Sequence, residues 1–166
     1  MAEHVRFFVY LLPPSAAPDW LGWPCDPTPW MEHPDPAGPT SPEHRAPGSW
    51  YAWRLLSTNN RELARSAFRF AAVEPCRQAV DDLRKATARL VLKTFSYPVT
   101  CRYSWQAELD GDPVAAGKRY EHEQNARYAA QRFLDVVAGA QVVDTVRPLV
   151  DRRGPAPSRI IVAGRP

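Results

Sequence analysis

The chain has 166 residues, enough for one domain or one compact pair of repeats and too few for two large ones. Hydrophobic residues make up 45% and charged residues 23%, ordinary globular usage that argues against a wholly disordered chain. Residues 1–50 carry a net charge of −4, so the remainder carries +7. That asymmetry suits a mildly acidic segment beside a mildly basic body and is too small to dictate a nucleic-acid partner.

Proline is unevenly placed, with 11 of its 18 copies before Trp50. Cys25, Cys76 and Cys101 form no C-x-x-C pair and no short Cys/His ligand set. An odd count without a signal-like segment predicts free thiols, a reducing compartment and a cytoplasmic protein. No apolar run approaches the roughly 18 residues a membrane span needs.

In chain order, Val5 to Leu12 is β-branched and aromatic and stops at Pro13-Pro14, which predicts a strand covered on both faces. Residues 13–49 follow without helical or strand period. Trp20, Trp23, Trp30 and Met31 sit in this Pro-rich insertion, where linkers are normally poor in aromatics. The insertion is read as a cover for an open sheet face or edge, as an arm that docks a protein partner, or as a simple flexible insertion.

Trp50 to Ser57 alternates as a strand, with Tyr51, Trp53 and Leu55 on one face. Thr58-Asn59-Asn60-Arg61 has turn chemistry, and Glu62 to Phe70 is the returning strand. Pro75 suits a first helical turn, and Cys76, Ala79, Val80 and Leu83 make an apolar stripe, predicting a helix over about 74–87.

A second series follows. Arg89 to Phe95 and Thr100 to Leu109 are strands, Asp110-Gly111-Asp112-Pro113 a turn, Val114 to Tyr120 a returning strand, and 123–138 a helix. The helix stripe is Ala126, Ala129, Ala130, Phe133 and Val137, with Gly139 placed as a C-cap. Gln141 to Val146 is a short closing strand, and Arg159-Ile160-Ile161-Val162, in an otherwise polar tail, is read either as an added edge strand or as a sticky tail.

The two series match. Tyr51-Ala52-Trp53 answers to Tyr103-Ser104-Trp105, Leu63-Ala64 to Val114-Ala115, and Phe70 to Tyr120. Cys76, Ala79, Val80 and Leu83 answer to Ala126, Ala129, Ala130 and Phe133 at a constant offset of 50. Self-similarity at a fixed period predicts architecture before any local motif does. The expected fold class is α+β: two tandem βββα(β) repeats forming one antiparallel sheet, with two helices packed on one face. The domain spans 1–146, with repeat one at 5–87, repeat two at 88–146 and a tail at 147–166. Edges remain, so a homodimer through a sheet edge is open.

These stretches resemble the YegP-like family of small proteins of unknown function. Tyr51-Ala52-Trp53-Arg54-Leu55 with Glu62-Leu63-Ala64-Arg65-Ser66, and Tyr103-Ser104-Trp105 with Pro113-Val114-Ala115, follow its hairpin pattern. Gln141-Val142-Val143-Asp144 looks like its closing strand. The resemblance implies a β3-αβ unit in tandem, with strands after the helices exchanged between units, and implies no activity. The chain departs from it at Asn60-Arg61, where Asn-Gly is usual, in the insertion and in the tail.

Chemistry finds little support. Glu121-His122-Glu123 could serve a proton shuttle or metal, but acidic residues at a helix start are expected from the helix dipole. Cys76 near a helix start could be a reactive thiolate, but its stripe position predicts a packed side chain. Cys25, Glu32 and His33 have no ligand spacing. No phosphate loop or hydrolase motif is present. The expectation is a non-enzymatic binding or accessory module without cofactor or metal, meeting a protein partner through Trp20, Trp23, Trp30 and Met31. The alternative is single-stranded nucleic-acid binding by Arg54, Arg65, Arg69, Lys118 and Arg119, joined by Arg127, beside sheet aromatics. Against it, Tyr51, Trp53, Tyr103 and Trp105 are also suited to face the helices as core.

Overall fold

A computed structural model describes residues 4–12, 50–97 and 101–148. The Trp20, Trp23, Trp30 and Met31 set, the Cys25/Glu32/His33 group and the 159–162 run lie outside the described residues. The element order is β1 (Arg6–Leu12), β2 (Trp50–Leu56), β3 (Glu62–Ser66), α1 (Val73–Lys85), a 3-10 turn (Thr87–Arg89) and β4 (Val91–Tyr97). Then come β5 (Arg102–Leu109), β6 (Asp112–Ala116), α2 (Glu123–Val137) and β7 (Gln141–Pro148). Three strands followed by a helix thus occur twice.

All seven strands form one sheet in the order β4-β5-β6-β3-β2-β1-β7. Every neighbouring pair is antiparallel except β1 and β7, which run parallel. The sheet is thus mostly antiparallel, as the expected fold class has it, with one parallel pair at the β7 edge. The closing strand leaves α2 and crosses to the far side of β1, in the first series, which is the exchange the resemblance implies. It also extends two residues further, to Pro148.

The hairpin turns follow from their residues. Asn60 (φ 57°), Asp110 (φ 55°) and Gly111 (φ 95°) adopt left-handed backbone, which Asn, Asp and Gly tolerate best. Each returning strand ends early, at Ser66 and Ala116, and the chain beyond it meets its neighbour again at the isolated bridges Tyr51↔Phe70 and Tyr103↔Tyr120. Gly139 follows the last helical turn, but its φ is not left-handed, so it is not the expected αL cap.

Alternate strand positions face the helices. Phe7, Val9, Trp53, Leu55, Ala64, Trp105, Ala107 and Ala115 form one core with Cys76, Val80 and Leu83 of α1 and Ala126, Ala130, Phe133 and Val137 of α2. Both helices therefore cover the same sheet face. Trp53 and Trp105 are each 1% exposed. Trp53 meets Phe7 edge-on at 5.3 Å, and Trp105 lies 5.0 Å from Phe133. The tryptophans of the matched motifs are core, as their alternation allows.

Candidate interaction face

The other strand positions line the sheet face that carries no helix. Cross-strand partners share a face, so the pairs Arg6↔Leu56, Phe8↔Arg54, Tyr10↔Ala52 and Leu12↔Trp50 place these residues there. Arg65 joins them opposite Arg54, and Lys93 and Arg102 join them across β4 and β5. Arg147 joins beside Tyr10 on β7.

The face is built from guanidinium groups laid over aromatic rings. Arg6 and Arg147 lie 5.4 and 3.8 Å from the Phe8 centroid. Arg54 lies 5.5 Å from Tyr10, Arg69 4.0 Å from Trp50 and Arg119 5.5 Å from Tyr97. Each such contact stabilises by about 0.5–1 kcal/mol at an exposed site. Phe8 is 1% exposed, so its ring is a platform for arginines and offers no surface to an incoming base.

Opposite charge on this face is sparse and already engaged. Glu62 accepts a hydrogen bond from Arg65 Nε at 2.6 Å and forms an ion pair with Arg54 Nε at 2.8 Å. Two arginines directly across a ladder repel, and Glu62 bridges them. Burial pushes the Arg65 guanidinium below its ordinary range; Glu62 opposes this shift and neighbouring Arg54 adds to it. Its Nη1 is buried and makes no hydrogen bond among the described residues. Glu108 holds Lys93 at 2.6 Å.

The sequence candidates therefore separate. Arg54 and Arg65 form a structural bridge through Glu62, while Arg69 and Arg119 lie over rings of the helix-free face. Lys118 lies 5.5 Å from Tyr120, whose ring packs on the core, and no strand pairing carries it onto that face. Arg127 belongs to α2 and pairs with Glu123 at 2.6 Å. Arg6 and Arg147 were not candidates, the first hidden in an apolar strand and the second assigned to the tail. The alternation Arg6, Phe8, Tyr10 was the available signal for Arg6.

The catalytic candidates do not converge. Glu121 pairs with Arg102 at 2.9 Å, Glu123 with Arg127, and His122 is the helix N-cap without a side-chain capping bond. Cys76 is fully buried, and burial pushes its thiol far above the ordinary range, which opposes thiolate formation. Among the described residues no three His, Cys, Asp or Glu side chains gather as for a metal. No helix among them is long and apolar enough to cross a membrane.

The described chain is a two-layer α+β protein, a seven-stranded, mostly antiparallel sheet backed by two helices. The solution structure of the E. coli protein of unknown function yegP is similar to it, with a TM-score of 0.50 and 7% identity. The match covers 64% of this chain and 90% of that one. A UPF0339 protein of Shewanella oneidensis aligns at a TM-score of 0.48 and 6% identity, over 63% of this chain and 85% of its own. At the 7% identity of the yegP match the likeness is one of fold, and at that level the YegP-like resemblance stands. No family model matches the sequence, and no curated protein does.

Proposed function

We propose that the protein is a non-catalytic binding module whose helix-free sheet face takes the phosphate backbone of single-stranded nucleic acid. The observation that carries this reading is the gathering of Arg6, Arg69, Arg119 and Arg147 over aromatic rings of one face. Rings under guanidiniums hold the cations in place, which lowers the entropy lost on meeting an anion. The buried ring of Phe8 argues for phosphate contact with little base stacking and hence little sequence preference.

The test is polarisation of labelled oligonucleotides over a salt series. If about four arginines meet phosphates, log K falls against log salt with a slope of roughly −3. Arg6→Ala with Arg147→Ala should weaken binding to all sequences alike and flatten that slope. Curves that stay flat at low salt for several oligonucleotides would sink the proposal.

A second reading, protein docking through the 13–49 insertion, is favoured by one observation. Leu12 and Trp50, where the insertion leaves and re-enters, are ladder partners on this same face. Deleting residues 14–48 should abolish recovery of a specific protein partner and leave the oligonucleotide curves in place.

A further inference from the structure

The two outer edges of the sheet are unlike. β7 is blunted in several ways. Its ladder with β1 shifts between Phe8 and Tyr10, it carries Asp144 and Arg147, and it ends on Pro148. The Asp144 carbonyl already accepts a hydrogen bond from Arg77 of α1. These are the devices by which proteins keep sheet edges from pairing.

β4 has none of them. All seven of its residues pair with β5 in unbroken register, from Val91↔Glu108 to Tyr97↔Arg102. It contains no proline, and its one charge, Lys93, is already held by Glu108. Val91 is 55% and Phe95 37% exposed. Among the described residues no strand lies on its outer side, whereas β1, which heads the first series as β4 heads the second, has β7 there.

We propose that β4 is a self-association edge, pairing antiparallel with β4 of a second copy about a twofold axis. A β4-to-β7 contact would be head-to-tail, forming a ring or a filament, and would use the edge that is blunted. The self-pairing closes at two chains. With the axis through Thr94, Val91 lies opposite Tyr97 of the other copy, Lys93 opposite Phe95, and Thr94 opposite its equivalent. Each Lys93 then meets an aromatic ring, and the two lysines are only diagonal neighbours. An edge ladder of this length buries little surface, so the dimer is reversible and concentration-dependent.

The experiment is sedimentation velocity of the full chain, free of nucleic acid, over a concentration series. The expected result is a monomer–dimer equilibrium with nothing larger. The double variant Val91→Lys/Phe95→Lys, at exposed positions, should be monomeric throughout with unchanged circular dichroism and melting temperature. Gln141→Lys on β7 should dimerise as the parent does. A chain monomeric at every concentration, a growing polymer, or a dimer indifferent to the β4 variant each overturns the proposal. None of these outcomes depends on whether the face binds nucleic acid.

Discussion

Gly117→Ala should be among the most damaging single-methyl additions in this protein. A Cβ at Gly117 would lie 2.0 Å from Trp105 Nε1, 2.5 Å from Cε2 and 2.6 Å from Cδ1. Ordinary contact between such atoms is about 3.5–4.0 Å, so the ring or the strand must move by roughly 1–2 Å. Neither is free to do so. The indole is 1% exposed and lies against Phe133, while Gly117 N–H donates to the Trp105 carbonyl at 2.9 Å and Ser104 Oγ donates to the Gly117 carbonyl at 3.0 Å. Overpacking usually costs about 1–3 kcal/mol, and this site belongs at the upper end. A loss of about 3 kcal/mol would lower the melting temperature by roughly 10 °C. Urea unfolding gives the free energy, and Trp105→Phe supplies the cycle. The double variant should be less destabilised than the sum of the singles by about 1 kcal/mol or more. Gly139→Ala, with nothing within 4 Å of the added methyl, is the control and should stay within about 0.5 kcal/mol. A Gly117→Ala protein as stable as its parent, or strict additivity with Trp105→Phe, would refute the reasoning.

Glu62→Gln leaves buried Arg65 facing Arg54 without a counter-ion and should cost about 3–5 kcal/mol by urea denaturation, part of it regained when Arg65→Met is added. Burial raises both the Cys76 thiol and the Tyr120 phenol. Both groups then ionise in the unfolded chain at lower pH than in the folded one, so their contribution is whole below pH of about 9 and falls as pH rises beyond it. Cys76→Ala should remove the first part of that alkaline decline in chemical-denaturation midpoints; an unchanged slope counts against burial as its source. Asn60→Val, at φ 57°, should cost about 1–2 kcal/mol, and Asn60→Gly should not destabilise, both read from thermal melts. Ala130→Leu should overpack the contact of α2 with the sheet, at about 1–3 kcal/mol.

Local periodicity made much of this fold legible. The stripe Cys76, Val80, Leu83 needs only the 3.6-residue repeat, and the turns at Asn60 and Asp110-Gly111 need only residues that accept positive φ. Trp53 and Trp105 were placed inside by strand alternation. What stayed hidden is non-local. The exchange of β7 onto β1 was implied only by the resemblance, its parallel direction by no local pattern, and the open edge at β4 depends on where all other described strands lie. The Glu62 bridge arises because the β2–β3 ladder shifts between Leu55 and Leu56, bringing one carboxylate to two arginines. No spacing along the chain announces that, so Arg54 and Arg65 looked available for a ligand. Arg147 was missed because β7 runs past the point where its apolar character ends.

The pairing of β1 with β7 imposes an order on synthesis. Phe7 and Phe8 emerge from the ribosome well ahead of Val142 and Val143, their ladder neighbours, which are made more than a hundred residues later. At about 5–20 residues per second that interval lasts many seconds, during which the flank of β1 is bare. Nascent chains stalled inside α2 should therefore recruit holdase chaperones that the finished protein no longer attracts.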